Sequence, residues 1–349
     1  MKQDPDLPSM RDGAGLAFNR LRVRANMLIR SGRRPRFALL LTSAFFVACS
    51  DGTGPSGPPP THPLGVIAGQ VALDGRPYGA AVSSQGVVYV ALVGSSILRR
   101  GLLQDMTFPD TVEVGEGPPH VEINPAGTRA FATIQTGQGL AAVDVASNTL
   151  IGVLPLPSEG FNLIVGKDGT RVYATTNGGF LYIVNTGTMA VETTLPVGPA
   201  ANGLALTRDG ATLYVSSRNA GTVVAIRTAN HSLFWTYDVG GVPQRLAVSP
   251  DGSLLYVANE QTGLDVVNTS TGEVIHRDLG TMGYGLALTP DGTQLYLALP
   301  LTGEVRILDR ATLAVVKSLT IGGLPRNVTF DRSGQTAIVT NEESVTFIK

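Results

Sequence analysis

The chain has 349 residues, 15% of them charged and 6% aromatic, with 42 glycines and a formal net charge of −1. That average hides an asymmetry: residues 1–48 hold nine Lys/Arg against three Asp/Glu, so the remainder carries 24 acidic residues against 17 basic ones. A body with this balance has no electrostatic reason to seek DNA or RNA, and no nucleic-acid partner is expected. The single cysteine, Cys49, excludes an intrachain disulfide and an all-thiolate metal site.

The first legible element is an address. In "RSGRRPRFALLLTSAFFVACSDG", Arg30, Arg33, Arg34 and Arg36 precede twelve mostly apolar residues, 37–48. A basic region followed by a short apolar run predicts an export signal over residues 1–48, too short to span a bilayer comfortably. An arginine pair sits at 33–34, but the residues after it do not fit a twin-arginine signal. The first 26 residues exceed an ordinary basic region, which makes Met27 a second candidate start. The tetrapeptide "FVAC" resembles the lipobox of bacterial lipoproteins, with Phe46 where that motif usually has Leu. The resemblance implies cleavage before Cys49 and a diacylglyceryl thioether on its sulfur, hence a membrane anchor. Ser50 after the cysteine points, by the same resemblance, to the outer membrane of a bacterial envelope. The alternative is an ordinary secretory signal with an incidental cysteine. Residues 49–62 then read as a tether, because Gly and Pro dominate and apolar residues are absent.

From residue 63 the chain repeats. A turn glycine recurs at Gly86, Gly127, Gly169, Gly210, Gly252, Gly292 and Gly334, at intervals of 40 to 42 residues. A fixed period near 40 marks a repeat architecture of seven copies. Each copy holds four short strand-like runs; in the fifth they are "RLAVS", "LLYVAN", "LDVVNT" and "VIHRDLG". Turn signals such as "PDG" and "STGE" separate them, which predicts four-stranded antiparallel meanders. A lone meander cannot bury both faces, so the copies must stack around an axis as blades of a propeller. Small residues on the first strands (Ala81, Ala205, Ala247, Ala287) suit convergence on that axis. The last copy ends after three strands, whereas an orphan strand, "GVIAGQVALDGRP" (residues 65–77), precedes the first copy. The fold class predicted for residues 63–349 is therefore all-β: a seven-bladed propeller of four-stranded antiparallel blades, with the amino-terminal strand completing the last blade.

The phrases "SPDGSLLYVAN" and "TPDGTQLYLAL" resemble the YVTN-type β-propeller repeat of bacterial and archaeal surface and periplasmic proteins. The resemblance covers nearly all of residues 63–349. It implies the fold strongly and function weakly, since such propellers serve as binding platforms, surface-layer proteins and occasional enzymes.

Candidate chemistry gathers where fourth strands lead into first strands. Seven residues before each turn glycine stand Gly79, His120, Asn162, Gly203, Arg245, Gly285 and Asn327. The preceding position holds Tyr78, Pro119, Phe161, Asn202, Gln244, Tyr284 and Arg326, of which Tyr284 and Arg326 join the candidate ligand-binding or catalytic residues. Glu122 replaces an alanine found in other copies, and lies on the same side of its strand as His120. An imidazole beside a carboxylate in a narrow channel suits acid–base chemistry, or a metal held with Asn162 and Asn327, and Arg245 suits an oxyanion. Lactonase-type propellers use such groups. The bland alternative pairs Glu122 with Arg245 or Arg129 across the channel. His62, His231 and His276 form no spaced metal motif, so no metal is expected. With no CxxCH and no Gly-rich phosphate loop before a helix, no cofactor is expected either. The leading expectation is a monomeric, lipid-anchored binding module that takes a protein or small molecule at its loop face. The rival is a hydrolase or lyase acting through His120, Glu122 and Arg245.

Overall fold

The computed structural model describes residues 62–63, 65–277 and 279–349. The expected export signal, Met27, Cys49 and the tether up to residue 61 lie outside the described residues. From Ile67 onward the chain forms seven four-stranded antiparallel sheets. Their inner strands are Pro77–Val82, His120–Ile123, Gly160–Val165, Ala201–Leu206, Pro243–Val248, Leu286–Leu288 and Asn327–Phe330. Six sheets are continuous meanders, blades 1 to 6. Blade 5, for example, runs Pro243–Val248, Leu254–Asn259, Gly263–Asn268 and Val274–Arg277.

The seventh sheet closes the ring. Its strands Asn327–Phe330, Ala337–Thr340 and Ser344–Ile348 are completed by the amino-terminal strand Ile67–Ala72. Val71 pairs with Val345 and Ala72 with Ser344. Beyond the strand end, Val66 and Lys349 exchange backbone hydrogen bonds of 2.7 and 2.8 Å. The closing strand is shorter than the expected 65–77: Gly75 (φ 94°) and Arg76 (φ 60°) turn the backbone left-handed, and Pro77 already opens blade 1.

Every blade turn is built on the repeated glycine, whose φ lies between 72° and 79° in all seven copies, a region that only glycine enters without strain. In blade 5 the side chain of Asp251 supports this turn. It bonds Ser249 Oγ at 2.5 Å and accepts from the Ser253 amide at 3.2 Å, and these bonds hold its carboxyl down to about 2.

The core lies between blades. Tyr89, Phe131, Tyr173, Tyr214, Tyr256, Tyr296 and Ile338 hold equivalent places on second strands, and all are buried. Each packs into a cluster shared with the next blade: Tyr89 with Val121, Ala132 and Ala141 of blade 2, and Ile338 with Val88 and Val90 of blade 1 across the closing seam. Burying one such side chain contributes about 1.5–3 kcal/mol. Because every blade has two such seams, losing one neighbour strips apolar cover from the next.

Candidate functional site

The inner strands position the site, and glycine makes room for it. A Cβ on Gly79 would lie 2.7 Å from His120 Nδ1, and one on Gly285 would lie 2.7 Å from the Arg326 carbonyl oxygen. Gly203 is likewise pressed on the Gln244 carbonyl. Three of the seven equivalent positions are therefore glycine because the following blade's strand crosses immediately over them. The other four carry His120, Asn162, Arg245 and Asn327. All four line one cavity of about 110 Å³, together with Glu122 and apolar inner-strand residues such as Leu204 and Leu246.

Arg245 is 7% exposed. Its Nη2 donates to His120 Nδ1 at 3.3 Å. A guanidinium can only donate, so Nδ1 is an acceptor and the imidazole proton sits on Nε2. That nitrogen faces Glu122 Oε1 at 3.6 Å, longer than a hydrogen bond but close enough for electrostatic orientation. Burial, reinforced by Arg245, holds His120 well below its ordinary value, so the imidazole is neutral. Burial pushes Glu122 up to about 7, against the pull of Arg245 and Lys167. A third of the Glu122 side chain is open to the channel (35%), yet the walls enclose it, and enclosure governs its ionisation. Arg245 forms no salt bridge among the described residues; Glu122 attracts it only at longer range.

The expected partners of Glu122 are thus rearranged. Arg129 is not among them: its Nη1 donates to the Thr186 carbonyl at 2.5 Å, on blade 3. Arg245 turns to His120, and His120 is what Glu122 meets. The Asn162 Oδ1 accepts from the Leu163 amide at 2.8 Å. Asn327 Nδ2 reaches the Ala80 carbonyl at 3.4 Å.

Tyr284 and Arg326 do not line this cavity. They form a neighbouring cluster with Tyr78, which holds the same position in its own blade. The Tyr78 and Tyr284 hydroxyls are hydrogen-bonded to each other. The Arg326 guanidinium lies 4.7 Å from the Tyr284 ring centre and 5.7 Å from that of Tyr78, and its Nε donates to Glu342 at 2.5 Å. Tyr78, Tyr284 and Arg326 all stand eight residues before a turn glycine. A further rim chain runs from Asn202 through Gln244 to Glu260, which Arg218 also reaches at 3.1 Å.

Two features lie away from the channel. A larger groove of about 740 Å³, lined by residues that include Gln85, Leu103, Asp331 and Lys349, contains none of the candidates. In blade 5 the fully buried Asp265 carboxylate accepts from Asn259 Nδ2 (2.7 Å) and Thr262 Oγ1 (2.6 Å), and meets His276 Nδ1 at 2.7 Å. Among the described residues no group of three or more His, Cys, Asp or Glu is placed to hold a metal.

A family model described as "Lactonase, 7-bladed beta-propeller" matches residues 170–282, a stretch that contains Arg245 but neither His120 nor Glu122. No curated protein matches the sequence. Among solved structures the chain is similar to "Kuenenia stuttgartiensis Hydrazine Synthase", with 17% identity over 80% of this chain and 97% of that one, at a TM-score of 0.73. At that identity the likeness is one of fold. The chain is a seven-bladed β-propeller whose central blades resemble those of lactonase propellers.

Proposed function

We propose that the channel binds a small carboxylate-bearing ligand with Arg245 as its charge partner, in a propeller that acts as a binding module. One observation carries this reading: a buried guanidinium whose side-chain contact is a neutral imidazole rather than a carboxylate. A cation taken out of water without a counterion is costly, and an anion arriving in the channel offsets that cost. The cavity of about 110 Å³ equals the volume of roughly four water molecules, which admits a carboxylate with a short carbon chain. Titration calorimetry with C3 to C5 carboxylates tests it. Binding that Arg245→Gln abolishes supports the reading, and binding that survives this substitution refutes it.

A second reading is favoured by Glu122 and by the lactonase match. A carboxyl near 7 is half ionised at neutral pH, the best condition for a general base. Glu122 would take a proton from water as its oxygen attacks a lactone carbonyl. Arg245 would hold the oxyanion, and the ring C–O bond would break as the proton returns to the leaving alkoxide. Hydrolysis of γ-butyrolactone or δ-valerolactone, lost in Glu122→Gln with the fold intact, would establish it. Its absence in the wild-type protein leaves the binding reading.

The proposal also places the propeller, a YVTN-type repeat protein, as a monomer at a bacterial envelope, anchored by lipid on Cys49 and lifted off the membrane by residues 50–62. Cys49→Ala is expected to move the protein from the membrane to the soluble fraction. Retention at the membrane would refute the anchor.

A further inference from the structure

Tyr78, Arg326 and Tyr284 occupy one position in blades 1, 7 and 6, and blade 7 stands between the other two. The two tyrosine rings meet edge to face, 6.2 Å between centres, with the Arg326 guanidinium against both. Both tyrosines are buried, Tyr78 at 9% and Tyr284 at 6% exposure.

Their hydrogen bonds do not balance. Two hydroxyls bonded to each other use one phenolic proton, and the second proton needs another acceptor. The surroundings are donors. Arg326 covers the rings, and Arg245 lies alongside, its amide donating to the Tyr284 carbonyl at 3.4 Å and its charge acting on both phenols. A guanidinium accepts nothing. Glu342, the carboxylate of this cluster, is already engaged by Arg76 (2.7 and 3.0 Å) and Arg326 (2.5 Å). Among the described residues neither phenolic hydroxyl has a hydrogen-bond partner but the other. Burial pushes the Tyr78 phenol far up, so it keeps its proton at every physiological pH.

The charges are equally lopsided. Arg76 and Arg326 share the single carboxylate of Glu342, which leaves one positive charge at the phenols; Arg245 contributes a second in the channel, offset only in part by Glu122 at longer range. A ligand that satisfies both has two negative ends and oxygens to accept the phenolic protons.

We propose that Tyr78 and Tyr284 are ligand-binding residues that exchange their mutual hydrogen bond for two bonds to a second carboxylate, which makes the site specific for a small dicarboxylate. Arg326 is a positioning residue: its guanidinium, held by Glu342, fixes the two rings by cation–π contact. The inference rests on the carboxylate reading of the channel.

The test compares dicarboxylates with monocarboxylates of equal length: malonate with propionate, succinate with butyrate, glutarate with valerate. One dicarboxylate is expected to bind the wild-type protein at least about tenfold more tightly than its monocarboxylate, since a hydrogen bond to a charged group is worth a factor of that size. Tyr78→Phe and Tyr284→Phe keep the rings and remove the hydroxyls. Each is expected to cut dicarboxylate affinity about tenfold and leave the monocarboxylate unchanged, with a modest fall in Tm because the remaining buried hydroxyl loses its partner. Dicarboxylate binding should also perturb the tyrosine near-ultraviolet spectrum, and either variant should weaken that signal. If both variants keep the wild-type preference while Arg245→Gln abolishes all binding, the phenol inference is overturned and the channel reading stands. If Arg245→Gln changes nothing, or the wild-type protein binds none of the six, both are overturned.

Discussion

Glu122→Gln is expected to stabilise the propeller by an amount that grows as pH rises from about 4.5 and is complete above about 7. In the folded chain burial pushes the Glu122 carboxyl from an ordinary value near 4.5 up to about 7. Below about pH 4.5 the carboxyl is protonated whether folded or unfolded, and its burial carries no ionisation penalty. As pH rises, the unfolded chain ionises first and gains solvation that the folded site does not supply. The penalty on the fold therefore grows between about 4.5 and 7 and is complete above that range. At 1.36 kcal/mol per pH unit the ceiling is about 3 kcal/mol. A third of the side chain faces channel water, so screening reduces the expected value to about 1–2 kcal/mol. Glutamine keeps an oxygen toward His120 Nε2 and never ionises. For a chain of this size about 1–2 kcal/mol is about 2–4 °C in Tm. Thermal melts of both proteins at pH 5 and pH 8 measure it: Tm should nearly coincide at pH 5 and favour the variant at pH 8. An offset of equal size at both pH values, or a variant that melts lower at pH 8, refutes the buried-carboxyl account.

Gly79→Ala sets a methyl 2.7 Å from His120 Nδ1 and 2.8 Å from the His120 Cα and the Pro119 carbonyl, so the blade 2 strand itself must shift and take the imidazole off Arg245; a loss of about 1–3 kcal/mol and weakened carboxylate binding are expected by denaturant melts and calorimetry. His276→Ala removes one partner from the fully buried Asp265 carboxylate, and urea unfolding should show a loss of about 1–3 kcal/mol with channel binding unchanged. Deleting residues 65–73 removes the strand paired with Ser344–Ile348 and uncovers the seam where Val71 and Leu73 pack. A loss of about 3–6 kcal/mol is expected, and an unchanged melting curve would refute closure by the amino-terminal strand.

The fold was legible because its signals are local and repeated. A glycine that must take positive φ every 40 to 42 residues, with an aromatic residue close behind it in six of the seven copies, states both the turn and the seam. Ring closure followed from counting strands. The side of the strand on which His120 and Glu122 point was legible for the same reason, since two residues on one strand two places apart share a face. What those side chains meet was not. Arg129 is nearer to Glu122 in sequence than Arg245, yet its second strand carries it outward to a carbonyl of blade 3. Tyr78 and Tyr284 are 206 residues apart, and only the seventh blade between their own brings them together. Contacts across the axis depend on the assembled ring, and no window of sequence contains them.

The polar interior of this channel works against stability. Its apolar counterparts stand in other blades: blades 4, 5 and 6 place Ala205, Ala247 and Ala287 where blade 2 places Glu122, and those blades close their seams without difficulty. Position 122 therefore does not need a carboxylate in order to fold, and the raised ionisation range of Glu122 measures what the fold gives up to keep one. Arg245 presents the same argument with the opposite charge, because an unpaired buried guanidinium is worse for folding than an apolar side chain of similar volume. A ring of seven similar blades has seven chances to place alanine and leucine on its axis. Where it places a cation and a carboxyl instead, separated by one neutral imidazole, the fold gives up stability, and the proposed ligand would offset that loss.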